Sequence, residues 1–281
     1  MATLCRRCSL RDRLLIAVLI VATRQGLADD AEPADGAPNA GATAILQVHL
    51  AALKVSVAGS GDNPTWQVIP QALLKYNDPA RRYLAGGVWR IGKSGRPKGL
   101  VVLELWPDGA GPRRGKLHHE LSSFQSGGLE LTSSTGISWR PRKSVLDFKP
   151  LSHVPRPAPT AKQRLRQMKQ LAREFAIEES YQGDVSVLRL LPRPIDRYED
   201  PNAGIDDGAM FAFTYGTNPE LVLLLECDGD EWQFALARLS WAELNVQRDG
   251  ELLQVLPELS APAPHDPYTP QTVTVLLPQP Q

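Results

Sequence analysis

The chain has 281 residues, with 31 basic and 31 acidic side chains, a formal net charge of zero and three cysteines. A balanced charge offers no basic excess for a nucleic-acid partner, and so few cysteines exclude a small disulfide-stapled scaffold. The length suffices for one large domain or two small ones without staples.

The N-terminus bears on location. Arg6, Arg7, Arg11 and Arg13 precede the uncharged apolar run Leu14–Ala22, and Gly26 and Ala28 place small residues at the −3 and −1 positions of a cleavage site. Residues 1–28 therefore read as a secretory signal peptide. The apolar run is shorter than the roughly 17 residues that a membrane span needs. "CRRCSLR" also resembles a twin-arginine signal, although the strongly apolar run suits the general export route better. Residues 1–28 hold five arginines and one aspartate, so 26 basic and 30 acidic residues follow, a net charge near −4. Cys5 and Cys8 would leave with the peptide, and Cys227 would stand alone. The expected product is exported, periplasmic or secreted, with no membrane span after signal removal and no nucleic-acid partner.

Residues 29–43, rich in Ala, Pro, Gly and acid, predict a disordered lead-in, since they cannot bury enough apolar surface to offset ordering entropy. A first β-rich unit is expected over 44–148. It would open with an irregular helix at Thr65–Tyr76, disturbed by Pro70. "GGVWRI" and "GLVVLELW" then read as strands around the Gly/Pro turn "GKSGRPK". Pro150, Pro155, Pro157 and Pro159 make 149–160 a linker.

Residues 161–259 predict a helix and a second β-rich unit. The helix runs from Ala161 to about Ile177. Thr160 and Gln163 form its capping box, and Leu165, Met168, Leu171, Ala172 and Phe175 its apolar stripe. "GAMFAF" and "ELVLLLEC" are strands, and "LNVQ" and "LLQV" meet across Asp249-Gly250 as a hairpin. Residues 260–281 are a Pro-rich C-terminal tail, in which "QTVTVLL" alternates like one late strand.

The two units speak alike. "KYNDP" at Tyr76–Pro79 returns as "RYEDP" at Tyr198–Pro201. Each leads to a strand, a Gly/Pro turn, an apolar run ("LVVLEL" or "LVLLLE"), an Asp-Gly pair and a further strand pair. The fold class expected is α+β and β-rich. It comprises two related antiparallel β-meander units, each preceded by a helix, forming one pseudo-two-fold body. Asp78 and Asp200 would initiate the turns before each first strand.

Chemistry is sparsely marked. No GxSxG, P-loop, GxGxxG, HExxH, EF-hand or SxxK signature is present. His118 and Glu120 alternate onto one strand face, with His119 on the other, which makes the first two weak metal-ligand candidates lacking a third partner. Glu199, Asp200, Asp206 and Asp207 form an acidic loop, and Asp78, Asp200, Asp206 and Asp207 are the candidate catalytic carboxylates if the protein is a hydrolase. The strand tryptophans 89, 106, 139, 232 and 241 suit core packing or stacking on a ligand. Cys227 ends an apolar strand and reads as a buried thiol. No cofactor is implied. The sequence favours a non-enzymatic binding or envelope-associated module with an unknown ligand or envelope component as partner. The alternative is a secreted hydrolase using carboxylates in a cleft between the halves.

Overall fold

A computed structural model describes residues 40–57, 66–79, 81–111 and 113–277. The expected signal peptide, and the expected lead-in up to residue 39, lie outside the described residues. In chain order, α1 (Ala40–Ala52) leads into β1 (Leu53–Val57), β2 (Leu74–Asp78), β3 (Tyr83–Ile91), β4 (Gly99–Pro107), β5 (Arg114–Ser123), β6 (Leu129–Ser133) and β7 (Ser138–Trp139). The short β8 (Lys149–Pro150) precedes α2 (Ala161–Ala172), β9 (Phe175–Tyr181), β10 (Asp184–Val187), β11 (Arg189–Leu190) and β12 (Asp196–Asp200). After a 3-10 turn at Pro201–Ala203 come β13 (Ile205–Tyr215), β14 (Asn218–Asp228), β15 (Glu231–Arg238), β16 (Glu243–Arg248), β17 (Glu251–Leu256) and β18 (Tyr268–Leu276).

The protein is β-rich, and its described strands form four antiparallel sheets. Two are large: β18-β5-β4-β3-β2, and β11-β13-β14-β15-β8 with β12 also on β13. Two are small: β1-β6-β7 and β10-β9-β16-β17.

Side-chain alternation sorts these sheets into layers. Val101, Leu103 and Leu105 of β4 face a core shared with Leu46 and Leu50 of α1 and with Leu129 and Leu131 of β6. Leu221, Leu223 and Leu225 of β14 face a second core, shared with Met168 and Leu171 of α2 and with Ile177 and Val246 of the small sheet. The opposite faces of the two large sheets meet in a third core, where Val88, Leu100 and Val102 pack with Met210, Val222 and Leu224. β4 and β14 are thus covered on both faces, which is why their sequences run apolar without clean alternation. Among the described residues, no helix is long and apolar enough to cross a membrane.

Thr160 caps the helix, its hydroxyl accepting from Gln163 N, but the Gln163 side chain accepts from that hydroxyl at 2.7 Å, where a capping box would have it accept from the Thr160 backbone N–H. The helix is shorter than expected, however. It stops at Ala172, and Phe175 begins β9, where Phe175 and Ile177 bury with a period of two. The Asp249-Gly250 hairpin forms with both residues at positive φ, 51° and 81°, as a two-residue turn of matching twist requires.

The first helix lies elsewhere than expected. Residues 66–78 are not helical. Ile69 N and Leu73 N donate to Arg90 O and Val88 O, and the segment runs along β3 before joining it as β2. Pro70 cannot continue a helix, while its carbonyl accepts from Trp89 Nε1. The helix is α1, which begins inside the expected lead-in and buries Ala42, Leu46 and Leu50 at successive turns. The C-terminal stretch, for its part, contributes β18, paired with β5 along its whole length. Its Pro270 is tolerated because β18 is an edge strand.

Candidate functional site

Where the two large sheets meet, each carries one buried tyrosine–glutamate pair. Tyr76 Oη donates to Glu104 Oε1 at 2.8 Å, and Tyr198 Oη to Glu226 Oε1 at 2.7 Å. The partners are 28 residues apart in both cases. A glycine makes room for each ring. A Cβ on Gly86 would lie 2.4 Å from the Tyr76 ring, and one on Gly208 would lie 2.5 Å from that of Tyr198. A bulge follows each tyrosine, between Tyr76 and Asp78 and between Tyr198 and Asp200.

The surroundings of the two glutamates differ. Glu226 is closed off by Arg96, whose Nε and Nη2 both donate to its carboxylate, the first at 2.7 Å. The guanidinium lies 4.3 Å over the Phe148 ring. Glu104 instead opens into a cleft of about 610 Å³. This is within the usual range for small-molecule sites, roughly 300–1,000 Å³.

The cleft walls come from both large sheets and from the small sheet of β9 and β10. β4 and β5 present Glu104, Trp106, His118 and Glu120. β9 and β10 present Glu179, Tyr181 and Asp184, and β14 presents Asn218 and Glu220. Tyr83 and Trp106 pack at 5.5 Å on one side, and Tyr181 and Trp241 stack at 6.2 Å on the other. Glu120 accepts from Tyr268 Oη at 3.0 Å and lies 3.6 Å from His118 Nε2. Glu179 accepts from Ser240 Oγ at 2.7 Å. Glu220 accepts from Arg81 Nη1 and Asn218 Nδ2, at 2.8 and 3.0 Å. Asn218 is only 6% exposed, and its Oδ1 has no hydrogen-bond partner.

So many carboxylates in a half-desolvated space change their proton affinity. Burial, and next the charge of Glu120, push Glu104 up to about 7. Burial and the charge of Glu179 raise Glu220 above its ordinary value, against the opposing pull of Arg81. Burial works against a charge on His118, but the hydrogen bond and charge of Glu120 hold its value above the ordinary one. The cleft therefore offers acceptors in excess, protons shared near neutrality, and aromatic faces on two sides.

The candidate residues read from sequence fall in several places. His118 and Glu120 line the cleft together; His119 lies on the other face of β5, buried near His49, where burial drives its value down to about 3. None of the four candidate aspartates lines the cleft. Asp78 accepts from Arg81 N, Asp200 from Arg96 N and Asp206 from Gly229 N. Asp207 is fully buried and accepts from both Arg164 and Arg197. Trp89, Trp139 and Trp232 fill cores, whereas Trp106 and Trp241 face the cleft. Cys227 is a free, fully buried thiol that burial pushes up to about 11. Among the described residues, no group of three or more His, Cys, Asp or Glu is placed to hold a metal ion.

Sequence reasoning missed Glu104, Glu179 and Glu220. For Glu104 and Glu220 the available signal was a charged residue inside strands otherwise apolar enough to be covered on both faces, because such a charge must be paired or used; Glu179, in the mixed strand FAIEESY, carried no such signal.

Comparison with protein-family models, curated proteins and solved structures yields no match for this chain.

Proposed function

We propose that the protein is an exported binding module, built as an internal duplication, whose ligand occupies the cleft at Glu104. The observation that carries the binding assignment is the preformed acidic and aromatic cleft, whose counterpart at Glu226 is filled by the protein's own Arg96. A site evolved only for stability would be closed in the same way.

The duplication is supported by the matched tyrosine–glutamate pairs, glycines and bulges. It is supported too by topology. In each half a helix leads into a strand (β1 or β9), a four-stranded meander follows (after the extra strands β10 and β11 in the second half), and the next strand (β6 or β16) pairs back with the first. A two-fold arrangement of the halves brings the cleft to their junction.

The binding role is tested by thermal-shift profiling of the protein against glycans, lipids, amines and metal ions. A ligand that stabilises the parent, and loses its effect in Trp106→Ala and Trp241→Ala, supports the assignment. Equal stabilisation of parent and variants contradicts it. Export is tested by N-terminal sequencing, which should begin at Asp29; a cell-envelope species retaining Met1 or Ala2 would overturn the cleavage.

One observation favours the hydrolase reading. Glu104 holds a proton near neutral pH beside Glu120, as a general acid and its partner carboxylate would. Turnover of a glycoside that disappears in Glu104→Gln would establish that reading in place of simple binding.

A further inference from the structure

Resting on the assignment of the cleft as a binding site, we propose that its ligand is an organic cation bearing a guanidinium or primary ammonium group, held between Glu104 and the aromatic walls. The protein contains its own example of this arrangement. At the closed end, a buried tyrosine holds Glu226, a guanidinium docks on that glutamate through two N–H groups, and an aromatic ring covers the guanidinium's face. At the open end a buried tyrosine holds Glu104 in the same way, and Tyr83 and Trp106 supply aromatic faces, but the guanidinium is absent.

The sequence explains why one end is filled and the other open. Arg96 is the fifth of seven residues connecting Ile91 to Gly99. Asn218 is the fifth of the seven connecting Phe213 to Leu221, so it holds the corresponding place. Where the first connection sends a long cation to the opposite glutamate, the second carries a short amide that leaves the space free.

Charge and hydrogen bonding point to the same class. Glu104, Glu120, Glu179, Glu220 and Asp184 line the cleft against one arginine, Arg81, and one histidine, His118, which Glu120 already engages; no lysine lines it. Arg81 is already committed to Glu220 and to the face of Tyr215, 4.1 Å away. The buried Asn218 Oδ1 lacks a donor. A ligand rich in N–H donors and carrying positive charge satisfies both deficits, and aromatic faces add cation–π attraction. A phosphate or carboxylate ligand would be repelled, and a neutral sugar would leave the carboxylates without a counter-charge.

Calorimetry near pH 8, above the Glu104 value of about 7, tests the assignment with arginine amide and its uncharged isostere citrulline amide as probes, both Nα-acetylated so that the guanidinium is the one charge that distinguishes them. Arginine amide should bind the protein roughly tenfold more tightly or better than citrulline amide. Asn218→Arg, which supplies the missing guanidinium from within, should weaken arginine amide by roughly tenfold or more. Glu104→Gln, nearly isosteric, should do the same and serves if the arginine variant does not fold. Equal binding of the two amides, or no binding of arginine amide, overturns the cation assignment. If a neutral disaccharide binds instead and is lost in Trp106→Ala, the cation assignment fails while the binding role stands. If no amine, glycan, lipid or metal ion responds to cleft variants, both fall.

Discussion

The two tyrosine–glutamate pairs share their hydrogen bond, their spacing and their glycine, yet one is neutralised from within and the other is not. At Glu226, Arg96 provides charge, two donors and a stacked plane. At Glu104 the charges of Glu120, His118 and Arg81 act from around it, but its hydrogen bond comes from Tyr76 and not from a cation. A buried carboxylate without a cation destabilises the fold, whereas the same group with a well-seated guanidinium is tolerated. The difference teaches where the molecule carries an energetic cost in exchange for an open site.

The largest expected effect lies at the closed end. Arg96→Ala leaves Glu226 buried without its cation, and chemical denaturation should show a loss of about 3–5 kcal/mol. A loss below about 1 kcal/mol would mean that the pair is not the seal described.

Next come the two glycines, which sharpen the likeness between the ends. Gly86→Ala and Gly208→Ala each drive a Cβ into a tyrosine ring. Each should cost about 1–3 kcal/mol, as overpacking does. Costs that differ widely would show that the two rings are not held alike.

The smallest effect separates the tyrosines. Tyr76→Phe and Tyr198→Phe each remove one donor to a glutamate, worth about 1–3 kcal/mol. Near pH 8 the loss at Tyr76 should be the larger, because Glu226 retains the two donors of Arg96 while, among the described residues, no cation hydrogen-bonds to Glu104. Equal losses would weaken the contrast.

Much of the scaffold could be read from residues alone. The strand blocks around "GKSGRPK", the strands "GAMFAF" and "ELVLLLEC", the capped helix and the Asp-Gly hairpin follow from local pattern, turn and capping chemistry, which needs no tertiary partner. The first helix could not be read in this way. "AGATAILQVHLAA" buries Ala42, Leu46 and Leu50, but its Ala- and Gly-rich start merges with the Pro-rich stretch before it. Tertiary pairing with β3 then drew residues 66–78 into extended form. The cleft was the least visible part. Glu104 and Glu220 sit within or beside apolar runs, and only the meeting of the two large sheets and β9 brings them near Glu120 and Glu179. The aspartates of the repeated Tyr-x-Asp-Pro motif were conspicuous in sequence, yet they serve backbone amides at turns and junctions.

The contrast between the ends can be measured in a single pair of variants. Glu104 rises from an ordinary 4.5 to about 7 on folding. Between those values the folded state holds a proton that the unfolded state releases, so stability falls as pH rises through that window and the penalty is complete above it. Glu104→Gln keeps the acceptor for Tyr76 and removes the charge. Near pH 8 it should therefore gain up to about 3 kcal/mol over the parent, a gain that vanishes near pH 4 where Glu104 is neutral in both states. Glu226→Gln, the same change at the closed end, should lose about 1–3 kcal/mol near pH 8 because the half-buried Arg96 is left without its charged partner. Unfolding free energies of the two variants near pH 8 should thus shift in opposite directions. Shifts of the same sign would contradict the account of one sealed and one open end.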